Sequence, residues 1–157
     1  MQTVIALFLA VEIYSLNGVW AKPFNPVCEY TVHIGDRKGP LVIKAVIGQE
    51  VFHRIVCHLP VTERTTKCLF VNSCKIANAN KTQEVELIDS DGCSADNLII
   101  EDPDYYEPLE AVFRSWVIAF AEDASEESAS MEIDCNIKFL PRTTEQFCDE
   151  VRPVCTV

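Results

Sequence analysis

The chain has 157 residues, with 24 acidic side chains against 13 Lys plus Arg and a formal net charge of −11. That balance excludes the concentrated basic surface of a nucleic-acid binder and argues against docking on anionic lipid. Eight cysteines form an even set, as in an oxidised secreted module, and 48% hydrophobic residues are enough to bury a core.

The chain opens with an apolar run from Thr3 to Val11, too short for the roughly 20 apolar residues that span a bilayer. Val19-Trp20-Ala21 places small residues where a signal peptidase reads, so residues 1–21 are expected to be a signal peptide cleaved after Ala21. No Lys or Arg precedes the run and Glu12 interrupts it; the alternative is an ordinary N-terminal strand or helix. Residues 22–157 then make one domain, within the usual range of about 100–150 residues. The most apolar later run, residues 116–120, is strand-sized, and no hydrophobic tail suits a glycolipid anchor. The mature protein is expected to be secreted, soluble and unanchored.

Strand signals dominate the chain beyond residue 21. Tyr30, Val32 and Ile34 alternate with Thr31 and His33, so one face should pack and the other, bearing His33, should be wet. Residues 35–40 predict a turn, Leu41 to Ile47 is apolar apart from Lys44, and residues 48–50 turn the chain again. Val51 to Val56 predicts a strand ending at Cys57, and residues 58–67, with Pro60, a polar loop.

The stretch from Cys68 to Cys93 organises the rest. Cys68-Leu69-Phe70-Val71 and Val85-Glu86-Leu87-Ile88 predict neighbouring strands, with residues 78–81 as their turn. Residues 89–92 (Asp-Ser-Asp-Gly) turn tightly and set Cys93 just past the second strand. A hairpin with Cys68, Cys74 and Cys93 at its corners is suited to being stapled to a domain.

Residues 101–108 are acidic, and Pro103 and Pro108 forbid regular helix or a central strand there. Such carboxylates could hold calcium, but they lack the regular ligand spacing of a calcium loop, so a solvated loop is expected. Ala111 to Phe120 predicts a strand carrying Phe113 and Trp116, and residues 122–130 a second acidic linker. Met131, Ile133, Cys135, Ile137 and Phe139 then alternate strictly with Glu132, Asp134, Asn136 and Lys138, which puts Cys135 on the buried face. About seven to nine short strands with little helix indicate an all-β fold, an antiparallel β-sandwich.

A Cys–His pair for nucleophilic catalysis could in principle come from the three histidines and eight cysteines. An even cysteine set in an oxidised protein is more simply all disulfide, and the sequence has no Gly-x-Ser-x-Gly setting and no Gly-rich phosphate loop. A metal site from Cys57, His58, His53 and His33 lacks the paired spacings zinc favours. A non-enzyme with no metal and no cofactor is expected. Asn80-Lys81-Thr82 fits an N-glycosylation acceptor at the predicted hairpin tip.

Residues 69–74 (Leu-Phe-Val-Asn-Ser-Cys) followed by residues 86–93 (Glu-Leu-Ile-Asp-Ser-Asp-Gly-Cys) resemble the C-terminal half of the zona pellucida (ZP) domain, in the form carried by nematode cuticlins. Cys28-Glu29-Tyr30 with Val32 resembles the opening of that module, and Gly48 to His53 with Cys57 its next block. Residues 131–137 resemble the late strand with its cysteine, and Cys148 to Cys155 the closing pair, so the likeness covers about residues 28–155.

The resemblance implies an immunoglobulin-like sandwich stapled by disulfides, with Cys74–Cys135 and with Cys93 joined to Cys148 or Cys155. Cys57–Cys68 would close a short loop and Cys28 would tie the first strand to the C-terminal end; a local Cys148–Cys155 pair is the rival. It also implies a structural or assembly component of a cuticle-like extracellular matrix, with other ZP-domain or matrix proteins as partners. The alternative is a soluble module that recognises another secreted protein or receptor. ZP proteins polymerise mainly through an N-terminal half that this sequence does not contain, so a monomer or small oligomer is expected in isolation.

Overall fold

The computed structural model describes residues 3–6, 27–42, 44–120 and 128–156. The expected leader falls outside the described residues except for one strand, β1 (Thr3–Ala6). The other strands are β2 (Val27–His33), β3 (Ala45–Val46), β4 (Glu50–His58), β5 (Lys67–Asn78), β6 (Glu84–Ile88), β7 (Asp104–Glu107), β8 (Glu110–Trp116) and β9 (Ser128–Pro141). They form two sheets, ordered β3-β1-β9-β5-β6 and β2-β4-β8-β7. Every pairing is antiparallel except that of β1 with β9.

The alternation read in the sequence is the alternation of burial. Along β9, Asp134, Asn136 and Lys138 are exposed while Ile133, Cys135, Ile137 and Phe139 lean on the core. A side chain every second residue on one face is what a half-buried strand requires. β4 behaves likewise, with Val51, His53, Ile55 and Cys57 all buried. The two inner faces meet over Leu69, Val71 and Ile88 from one sheet and Ile55, Ala111 and Phe113 from the other.

β5 departs from this pattern, because Phe70 and Asn72 on its outer face are also buried. Its outer face is covered by the turn after β6 and by the C-terminal tail. Gly92, at φ +83°, packs against the Phe70 ring so closely that an added Cβ would lie 2.5 Å from it. Asn72 Nδ2 donates to the Ser90 carbonyl at 2.8 Å. The Arg152 guanidinium, on the tail, donates to the Leu69 carbonyl at 2.9 Å and lies 3.8 Å over the Tyr105 ring. Burial of that cation is met by carbonyls and a π-face, the partners a desolvated guanidinium needs.

Three local expectations change. Residues 58–67 contain one helical turn, α1 (Val61–Arg64), in which the Glu63 and Arg64 amides donate to the Pro60 carbonyl. The apolar run from Leu41 to Ile47 pairs as a strand only at Ala45–Val46. The acidic segment supplies β7 at a sheet edge, where the flanking prolines cost no ladder bond.

Candidate functional site

The eight cysteines close four disulfides, and no cysteine is free. Two lie within sheets. The register of β2 on β4 sets Cys28 opposite Cys57, with Cα atoms 4.0 Å apart. Cys74 and Cys135 face each other in the irregular stretch of the β5–β9 ladder, between Asn72 and Lys75, where Ser73 adopts φ 51°. This link joins neighbouring strands of one sheet.

The other two anchor the C-terminal tail: Cys68 joins Cys148, and Cys93 joins Cys155. The expected Cys57–Cys68 loop is therefore overturned, because Cys57 and Cys68 belong to strands of different sheets and Cys57 already has a cross-strand partner. Cys28 likewise ties β2 to β4 and not to the C-terminal end. The local Cys148–Cys155 pair is replaced by two tail anchors, since the tail runs back over β5 and the turn at Gly92. Sequence spacing carried no sign of that return; the buried Arg152 marks it in the structure.

The histidines separate into three roles. His33 is buried, contrary to the wet face expected for it, and its Nδ1 donates to the Gly39 carbonyl at 2.7 Å, holding the turn at residues 35–40. With that proton on Nδ1, Nε2 accepts from the Thr31 hydroxyl at 2.8 Å. His58 is exposed, 3.9 Å from the Glu29 carboxylate. His53 lies in the core, stacked on Phe113 with ring centroids 4.9 Å apart. Its Nδ1 is 2.6 Å from the Tyr30 hydroxyl and its Nε2 is 2.6 Å from Ser115 Oγ. Burial holds its pKa down to about 3, so it is neutral, and burial also pushes the Tyr30 hydroxyl above its usual value.

Charge inside the domain is paired. Glu110, buried beside the β4–β8 ladder, accepts from Arg54 at 2.8 Å and Arg37 at 2.5 Å. Burial alone would raise its pKa, but the hydrogen bonds from Arg54 and Arg37 outweigh that and hold it low. Among the described residues, Cys93, Asp102 and Cys155 bring three potential metal-ligating atoms together, but both sulfurs are spent in one disulfide and offer no thiolate. Asn80 is exposed in the turn joining β5 to β6, and Asn78 Oδ1 accepts from the Thr82 amide at 3.0 Å.

What these residues make is a cross-linked frame with a C-terminal strap and no open thiol. The Cuticlin C-terminal domain matches residues 24–157. The chain belongs to the cuticlin family. Cuticlin-5 of Caenorhabditis elegans is 30% identical over 125 residues, covering 79% of this chain and 30% of that protein. Cuticlin-4 of the same organism is 27% identical over 130 residues, 83% of this chain and 24% of that protein. Cuticlin-6 is 35% identical over 81 residues, 51% of this chain and 14% of its own length. This cuticlin-domain chain thus matches less than a third of each of these relatives. Among the described residues, no helix is long and apolar enough to cross a membrane.

Proposed function

We propose that this chain is a secreted, non-enzymatic structural component of a cuticle-like extracellular matrix, with residues 1–21 acting as a leader and residues 22–157 as the working domain. The observation that carries the reading is the cuticlin match, which begins just past Ala21 and runs through the C-terminal strap. The four disulfides support it, because such links persist in oxidising compartments. Pairing of every cysteine leaves no thiolate to act as a nucleophile. Its partners are other ZP-domain or matrix proteins, and Asn80 carries an N-linked glycan. The formal charge of −11 opposes self-association, so the chain alone stays a monomer or small oligomer and joins a matrix only with a partner.

Expression in animal cells tests the compartment. The expected product is a medium protein that begins at Lys22 and loses mass when N-glycans are removed. A cytosolic protein that retains Met1 would contradict secretion, and an unmodified Asn80 would remove the glycan from the account.

A further inference from the structure

Residues 101–110 carry the carboxylates of Glu101, Asp102, Asp104, Glu107 and Glu110, and no Lys, Arg or His. Glu101 is paired with Arg114, and Glu110 with Arg37 and Arg54. Asp104 and Glu107 are exposed, and they bracket Tyr105 and Tyr106 on β7. That strand lies at the edge of its sheet, and its register on β8 slips between Asp104 and Glu107. The two tyrosines therefore stand in the irregular part of the ladder, on extended chain that an enzyme can reach without opening the sheet.

The four tyrosines of the chain differ in what their hydroxyls are free to do. Tyr14 lies outside the described residues. The Tyr30 hydroxyl is in the core, 2.6 Å from His53 Nδ1. The Tyr105 hydroxyl accepts from the Val71 amide at 3.0 Å, and its ring lies beneath the Arg152 guanidinium. Tyr106 is 54% exposed, and its hydroxyl has no hydrogen-bond partner among the described residues. The Arg37 guanidinium, 4.2 Å from the ring centroid, holds the ring at the surface. Among the described residues, Tyr106 is the phenol open to an incoming reagent, and its nearest neighbours in sequence are acidic.

We propose that Tyr106 is a site of O-sulfation. An enzyme that transfers a sulfuryl group holds its anionic donor with cationic side chains, and an acidic acceptor segment is steered towards the same field. The choice of a sulfuryl group over a phosphoryl group rests on the secreted reading, since sulfuryl transfer to tyrosine belongs to the secretory pathway. The Tyr106 oxygen attacks the sulfur of 3′-phosphoadenylyl sulfate and forms the new O–S bond. The bond from sulfur to the phosphate oxygen breaks, adenosine 3′,5′-bisphosphate leaves, and the phenol proton passes to a base of the transferase. The product is an aryl sulfate, one added negative charge on an exposed strand edge.

The purified, oxidised full chain, incubated with a tyrosylprotein sulfotransferase and that donor, tests the acceptor whether or not the secreted reading holds. The N-terminus of protein in the medium tests that reading separately. The chain should gain the mass of one SO3 group, and peptide mapping should place it on Tyr106. The variant Tyr106→Phe should take up none. Asp104→Asn/Glu107→Gln, changed only at exposed carboxylates, should lose about tenfold in kcat/KM, and added salt should slow transfer to the unaltered chain. On protein made by animal cells, the group at Tyr106 should survive phosphatase and be lost in mild acid. The proposal is overturned by no transfer to the folded chain, by transfer to another tyrosine instead, or by an unchanged rate in the acid-to-amide variant. An unmodified or phosphatase-sensitive Tyr106 in protein recovered from the medium would overturn it equally.

Discussion

Two of the disulfides allow a controlled test of what the fold does with a cross-link. Cys74–Cys135 and Cys93–Cys155 span 61 and 62 residues, so their loop-closure terms are nearly equal. Chain entropy assigns each about 4 kcal/mol, a large part of the roughly 5–15 kcal/mol that holds a domain together. Their surroundings differ. Cys74 is fully buried in the central cluster, whereas Cys93 and Cys155 are half-buried under the tail. Replacing both members of a pair by Ala removes the same entropy in each case, but Cys74→Ala also leaves a methyl-sized void worth about 1 kcal/mol. The Cys74→Ala/Cys135→Ala protein should therefore unfold at about 0.5 M less urea than Cys93→Ala/Cys155→Ala, given slopes of about 2 kcal/mol/M. Both retain three disulfides and similar denatured-state constraints, so their slopes are comparable. Equal midpoints, or the reverse order, would refute the claim that Cys74 contributes packing as well as a link.

Stability should also fall with acid through His53. Its folded pKa of about 3 lies below its usual 6.5, so above pH 6.5 the ring is neutral whether folded or not. As pH drops from there towards 3, the unfolded chain takes up a proton that the fold refuses, at a cost of up to about 1.4 kcal/mol per pH unit. Urea midpoints between pH 7.5 and 5 should show this slope, and His53→Gln should reduce it by about one proton; an unchanged slope would contradict the buried neutral ring. Glu110 acts at lower pH, because its depressed carboxyl contributes stability that is lost as pH falls through its folded pKa. Gly92→Ala should cost about 3 kcal/mol by combining left-handed backbone strain with a clash against Phe70, while Gly48→Ala, at φ +80° with open space around it, should cost about 1 kcal/mol. Thermal melts of the two variants check the order.

Much of the sandwich was legible because strands that bury one face write a period of two into the sequence, and β9 does so from Met131 to Phe139. The hairpin of β5 and β6 was legible from its two apolar runs and the Asn-rich turn between them. Burial of Phe70 and Asn72 was not, because it depends on the turn after β6 folding back over the outer face of β5, with Gly92 against the Phe70 ring and the Ser90 carbonyl on Asn72; the tail returns over the same strand at Leu69. The same return decides Cys68–Cys148, which no local spacing announces. His33 misled for a related reason: alternation assigns a face, but it does not say whether a turn will close over that face. The Tyr30–His53–Ser115 row was equally hidden, since its members come from three strands and meet only after β4 pairs with both β2 and β8.

Co-sedimentation with a cuticlin tests the central claim most directly. The oxidised chain would be mixed with full-length Cuticlin-5 immobilised on beads, and spun beside a sample of the chain with blank beads. The account predicts that the chain alone stays in the supernatant and that it enters the pellet when Cuticlin-5 is present. A chain that stays in the supernatant in both samples, or that pellets by itself, would contradict it.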